Sequence, residues 1–88
     1  MRVIEAYPLI LGSSKVSMPD LANIIDVTSK GEEIKVLVEI DKETVEKCSR
    51  AFLLIKVGEE ILEDAVLDYI GCVYILSVEE PILVFEIL

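Results

Sequence analysis

The 88-residue chain contains no His, no Trp and no Gln, and Asn23 is its only Asn. Without imidazole there is no Ser-His or Cys-His pair for nucleophilic catalysis, and the usual zinc and copper ligand sets are missing. Cations are scarce too: eight Lys and Arg stand against 17 Asp and Glu, a net charge of −9. Neutralising phosphates requires a clustered basic surface, so this balance argues against nucleic-acid binding. No apolar run reaches the ~18 residues of a membrane-spanning helix. Cys48 and Cys72 lack C-x-x-C spacing; buried thiols are the first reading and one disulfide the second. The opening MRVIEAYPLILGSS sets Arg2 before an apolar stretch in the manner of a signal peptide. Glu5 interrupts that stretch and Pro8 follows, so a first strand is expected instead. These absences point to a soluble, cytoplasmic, non-enzymatic protein of one domain spanning residues 1–88.

What the chain does have is aliphatic bulk. Apolar residues make up 53% of it, with 12 Ile, 11 Val and 11 Leu. Residues 1–11 read as a strand bent at Pro8, followed by a loop over 12–24 marked by Gly12-Ser13-Ser14-Lys15 and Pro19-Asp20. Period-two alternation at Ile25 and Val27, and again at Ile34, Val36, Val38 and Ile40, brackets Ser29-Lys30-Gly31-Glu32 and predicts an antiparallel hairpin. At Asp41, an N-cap residue, the period changes. Val45, Cys48, Phe52 and Ile55 recur at three- and four-residue steps and predict a helix. Residues 51–57 read alternatively as a strand. A second helix is expected over 59–70, ended by Gly71. The nearly unbroken apolar runs Cys72–Val78 and Ile82–Leu88 predict a closing hairpin turning at Glu79-Glu80-Pro81. The expected fold is therefore α+β: a five-stranded, mainly antiparallel sheet in the order βββααββ, with both helices packed on one face.

This order of elements, the chain length and the acidic stretch Glu59, Glu60, Glu63, Asp64 and Asp68 resemble a family of small archaeal proteins of unknown function found in methanogens. The resemblance implies a five-stranded sheet with two helices and an acidic surface suited to calcium. It implies no catalytic residue. The near-absence of side-chain amides fits a thermophile.

Charge is segregated along the chain. Residues 1–56 hold nine acids and all eight cations; residues 57–88 hold eight acids and no cation. On a helix over 59–70, Glu60, Asp64 and Asp68 would follow at four-residue steps with Glu63 beside them, a like-charge array that a divalent cation relieves. Ca²⁺ accepts ~6–8 oxygen ligands in flexible geometry, so weak calcium binding by Glu60, Glu63, Asp64 and Asp68 is the leading functional expectation. Glu39, Asp41 and Glu43 form a second candidate site. A solvated acidic face is the plainer explanation of the same residues. The alternative function is an assembly module. On the expected fold, Tyr74, Leu76, Val78, Ile82, Val84 and Leu88 would line an uncovered sheet face and pair two copies as a homodimer, unless the 12–24 loop covers them. Leu67, on the acidic side of the second helix, reads either as a scattered surface apolar residue or as an anchor for a basic protein partner. Paired carboxylates alone, without a cleft or a nearby cation, do not make an enzyme.

Overall fold

The computed structural model describes residues 1–88. It contains seven strands and no helix: β1 Arg2–Leu9, β2 Gly12–Pro19, β3 Asn23–Lys30, β4 Glu33–Asp41, β5 Lys47–Lys56, β6 Leu67–Ile75 and β7 Val78–Ile87. They form two antiparallel sheets, a three-stranded one in the order β1-β4-β3 and a four-stranded one in the order β2-β5-β7-β6. The fold is all-β, and the expected α+β arrangement with two covering helices is overturned, along with the fold implied by the methanogen family resemblance.

The two sheets pack through one shared core. Leu9, Val27, Ile34, Val36, Val38 and Ile40 enter it from the three-stranded sheet; Met18, Phe52, Leu54, Val73, Ile75, Ile82 and Val84 enter from the four-stranded sheet. Two stacked sheets lie ~10 Å apart, in keeping with the 15 Å shortest extent of the molecule. At one side β3 runs beside β6, where Ser29 Oγ donates to the Tyr74 carbonyl at 2.7 Å and the Leu76 N–H donates to the Gly31 carbonyl at 3.2 Å. Gly71 matters at this seam: a Cβ there would lie 3.0 Å from Val27 Cγ1.

Strand β4 shows why alternation is a dependable signal. Ile34, Val36, Val38 and Ile40 are buried, while Glu33, Lys35 and Asp41 are exposed. The β3–β4 hairpin forms as expected, with Gly31 at φ +62° in its turn. Pro8 lies on edge strand β1, where its missing N–H costs no ladder bond. The segment expected as a loop over 12–24 is instead largely β2. The closing hairpin forms, but it turns at Leu76-Ser77 and not at Glu79-Glu80-Pro81, which fall within β7.

Both expected helices fail for physical reasons. In β5 the set Cys48, Phe52 and Ile55 mimics a helical stripe, yet Phe52 and Leu54 face the core while Ala51, Leu53 and Ile55 face outward. A strand that is apolar on both faces cannot be told from a short helix by spacing alone. Asp41 does cap, but it caps a turn: Oδ1 accepts from the Glu43 N–H at 3.0 Å, and the Asp41 carbonyl accepts from the Thr44 N–H at 3.0 Å. Residues 57–66 are an irregular strap between β5 and β6. A helix there would stack like charges, while the strap lets Ile61, Leu62 and Ala65 approach the sheet.

The molecule is flatter than its mass requires. Its accessible surface is 5905 Å², against ~5,200 Å² for an average monomer of this mass. Its radius of gyration is 13.3 Å, against ~12 Å for a compact domain of this length. Stability consequently rests on a thin core. Phe52, fully buried at its centre, is expected to cost ~3–5 kcal/mol when truncated to Ala, measured by chemical denaturation. Far-UV circular dichroism is expected to show a β-type spectrum without the double minimum of helix.

Candidate functional site

The registers of β2, β5, β7 and β6 fix which side chains share the outer face of the four-stranded sheet. Ser13, Leu53, Phe85 and Tyr69 form one row across all four strands, and Lys15, Ala51, Ile87 and Leu67 form the next. Ile55, Leu83 and Cys72 make a third row across β5, β7 and β6. The Tyr69 and Phe85 rings meet edge to face, with centroids 5.5 Å apart. Such cross-strand pairs stabilise the sheet while leaving part of each ring open to solvent. Leu53, Leu67, Leu83, Phe85 and Ile87 are half-buried, and Tyr69 is 57% exposed.

The 57–66 strap crosses one end of this face. Gly58 starts it at φ +95°, and Glu59 Oε1 accepts from the Lys56 N–H at 2.8 Å. Ile61, Leu62, Ala65 and Glu60 of the strap, with Ser13, Leu53, Leu67 and Ile87 of the sheet, line a groove of ≈ 230 Å³. The cover is incomplete, since Leu62 remains 79% exposed. Lys15 and Lys56 are the cations of this region, against Glu59, Glu60, Glu63 and Asp64 on the strap, all exposed.

The other sheet's outer face is of ordinary composition. Its β1–β4 pairs are Arg2 with Asp41, Ile4 with Glu39, Ala6 with Leu37 and Pro8 with Lys35, so polar and apolar side chains alternate. The apolar surplus is confined to the four-stranded sheet.

The sequence-predicted metal residues are placed as follows. Glu60, Glu63 and Asp64 lie on the strap, and Asp68 lies on β6 opposite Glu86 of β7. The one-turn spacing that would have aligned them belongs to a helix the chain does not form. Glu39 is paired with Arg2, and Asp41 with the amino group of Met1 at 3.3 Å. The Glu43 N–H bond, and after it the ammonium of Met1, hold the Asp41 carboxyl below the usual carboxylate range. The stability this contributes is present above the unfolded-state pKa and is lost as pH falls through the lowered folded value. No group of three or more Cys, Asp or Glu side chains converges as a metal cluster would.

The predicted dimer face is corrected as well. Ile82 and Val84 are fully buried in the core, and Val78 packs against it; of that set only Tyr74, Leu76 and Leu88 are exposed. The residues that do lie outward, Leu83, Phe85 and Ile87, alternate with them. A continuous apolar run signals that both faces of a strand are apolar but carries no information on which face the core takes. Both cysteines are free, Cys48 half-buried and Cys72 exposed.

One polar feature of the core went unread in the sequence. Arg50 and Glu86 form a two-pronged ion pair, Nε to Oε2 at 2.6 Å and Nη2 to Oε1 at 2.8 Å, and Arg50 Nη1 donates to the Ala22 carbonyl. The hydrogen bonds to Glu86 push the Arg50 pKa upward despite the opposing effect of burial. The pair ties β5 and β7 to the connection between the sheets. Its partners stand 36 positions apart, beyond any local pattern.

Comparison with family models, with curated proteins and with solved structures finds no match for the chain. No helix is long and apolar enough to cross a membrane.

Arg50→Met is expected to destabilise the protein by ~2–3 kcal/mol, below the range for a fully buried pair because Arg50 retains some solvent contact. Urea denaturation of this variant, and of Arg50→Met with Glu86→Leu, checks the cause: the double replacement is expected to recover most of the loss.

Proposed function

We propose that the chain is a protein-interaction module whose docking surface is the outer face of the four-stranded sheet. The fitting partner contributes an apolar centre to the Leu53, Phe85, Ile87 and Leu67 rows and a Lys/Arg rim to the acidic strap. The observation that carries this reading is the coincidence of the two features on one side of the molecule. An apolar sheet face is left only partly covered, and the segment beside it bears four acids and no cation. Interfaces of this type bury an apolar core inside a polar rim, and large contiguous exposed apolar patches mark such contacts. Charge of one sign at the rim sets the partner's sign and hastens encounter.

A synthetic peptide of alternating Lys and Leu, with a Glu-Leu peptide as its counterpart, supplies the test. In amide and methyl NMR titrations the basic peptide is expected to shift Leu53, Leu67, Tyr69, Leu83, Phe85 and Ile87, and less so as salt rises. The acidic peptide is expected to leave them unmoved. Leu62→Ser and Tyr69→Ser, both at exposed positions, are expected to weaken the binding while the fold is retained. Equal binding of both peptides, or shifts spread over both sheets, would contradict the reading.

A further inference from the structure

The two sheets present four edge strands, and three of them are guarded. On β1, Pro8 removes a donor and Glu5 sits in register with core residue Val38, an inward-facing charge that remains exposed. β3 shifts register between Ile24 and Asp26; β6 shifts twice, between Tyr69 and Gly71 and between Val73 and Ile75. β3 and β6 also lie side by side and bond to each other. Inward charges, prolines, bulges and mutual cover are the devices by which sheets block edge-to-edge pairing.

β2 is different. Its register with β5 runs unbroken from Gly12 to Pro19. No backbone hydrogen bond outside that ladder uses any residue from Gly12 to Met18. Its side chains are mostly small, with Ser13, Ser14 and Ser17, and Lys15 is its single charge.

We propose that β2 is a self-association edge, at which two copies of the chain pair antiparallel and join their four-stranded sheets into one of eight strands. Elementary constraints choose among the registers that pair most of the strand, whose axes lie near its middle at Lys15 or Val16. Residues directly opposite in an antiparallel pair share a face, so core-facing Ser14, Val16 and Met18 must oppose one another. A two-fold axis at Lys15 would set Lys15 against its own copy, an unfavourable like-charge pair. An axis at Val16 sets Val16 against Val16, Ser14 against Met18 and Lys15 against Ser17, with no charge opposed. It also places Pro19, which lacks an N–H, at the end of the new ladder. A short edge alone buries less than the ~1,200 Å² of a stable interface, so the dimer is a reversible one. The proposal is independent of the outer-face reading: failure of either leaves the other standing.

Sedimentation equilibrium of the full chain from micromolar to millimolar concentration reads the association directly. A concentration-dependent monomer–dimer equilibrium is expected. Ser17→Glu, which brings a carboxylate opposite Lys15 of the second copy, is expected to tighten the dimer; Ser17→Lys is expected to loosen it, each by about tenfold at low salt. Ser17 is exposed, so neither change disturbs the core. A chain monomeric throughout the range overturns the proposal. So does a dimer whose dissociation constant ignores both substitutions or moves the same way for both.

Discussion

β5 and β7 are apolar on both faces, and a two-layer sandwich buries only one of them. That constraint shapes the rest of the molecule. The inner faces close over Phe52, Leu54, Ile82 and Val84, all essentially inaccessible to solvent. On the outer faces Ile55 is buried, but Leu53, Leu83, Phe85 and Ile87 are only half-buried, and the 57–66 strap reaches Leu53 and Ile87 alone of these. A helix there would have stacked its own acids and left its apolar stripe to find the same surface. The strap lays Ile61, Leu62 and Ala65 toward the groove and leaves its carboxylates in water.

Where one side of an element faces water, the sequence was legible. The alternation of β4 and the Gly31 turn predicted the β3–β4 hairpin, because polar residues on one face identify the other as the core. The closing hairpin was also visible in outline, in its β-branched and aromatic content. Legibility failed where polarity does not alternate. In β5, helical spacing joins Cys48, Phe52 and Ile55 although the strand puts Ile55 on the opposite face from the other two, and an N-cap residue at Asp41 served a turn as well as it would have served a helix. In β7, nothing local distinguishes Ile82 and Val84 from Leu83 and Phe85; the difference arises from which sheet face meets the other sheet. The Arg50–Glu86 pair lay further out of reach, as its worth depends on strands brought together only by the fold.

Charge segregation kept its meaning while its geometry changed. The cation-free stretch after Lys56 suggested a helical array of carboxylates able to share calcium. In the structure the same acids are spread over a strap and one strand, and their closest relation is to an apolar surface. An acidic border beside an apolar field would select a partner by sign and shape together, and this arrangement is what the proposed recognition surface rests on.

The proposed recognition surface depends on the outer face of the four-stranded sheet being apolar and open. Solvent paramagnetic relaxation of methyl groups in the free protein measures this most directly. Strong broadening is expected at Leu53, Leu67, Leu83 and Ile87, with Leu54, Ile82 and Val84 protected. Equal protection of the two sets would mean that the outer face is covered and offers no docking surface.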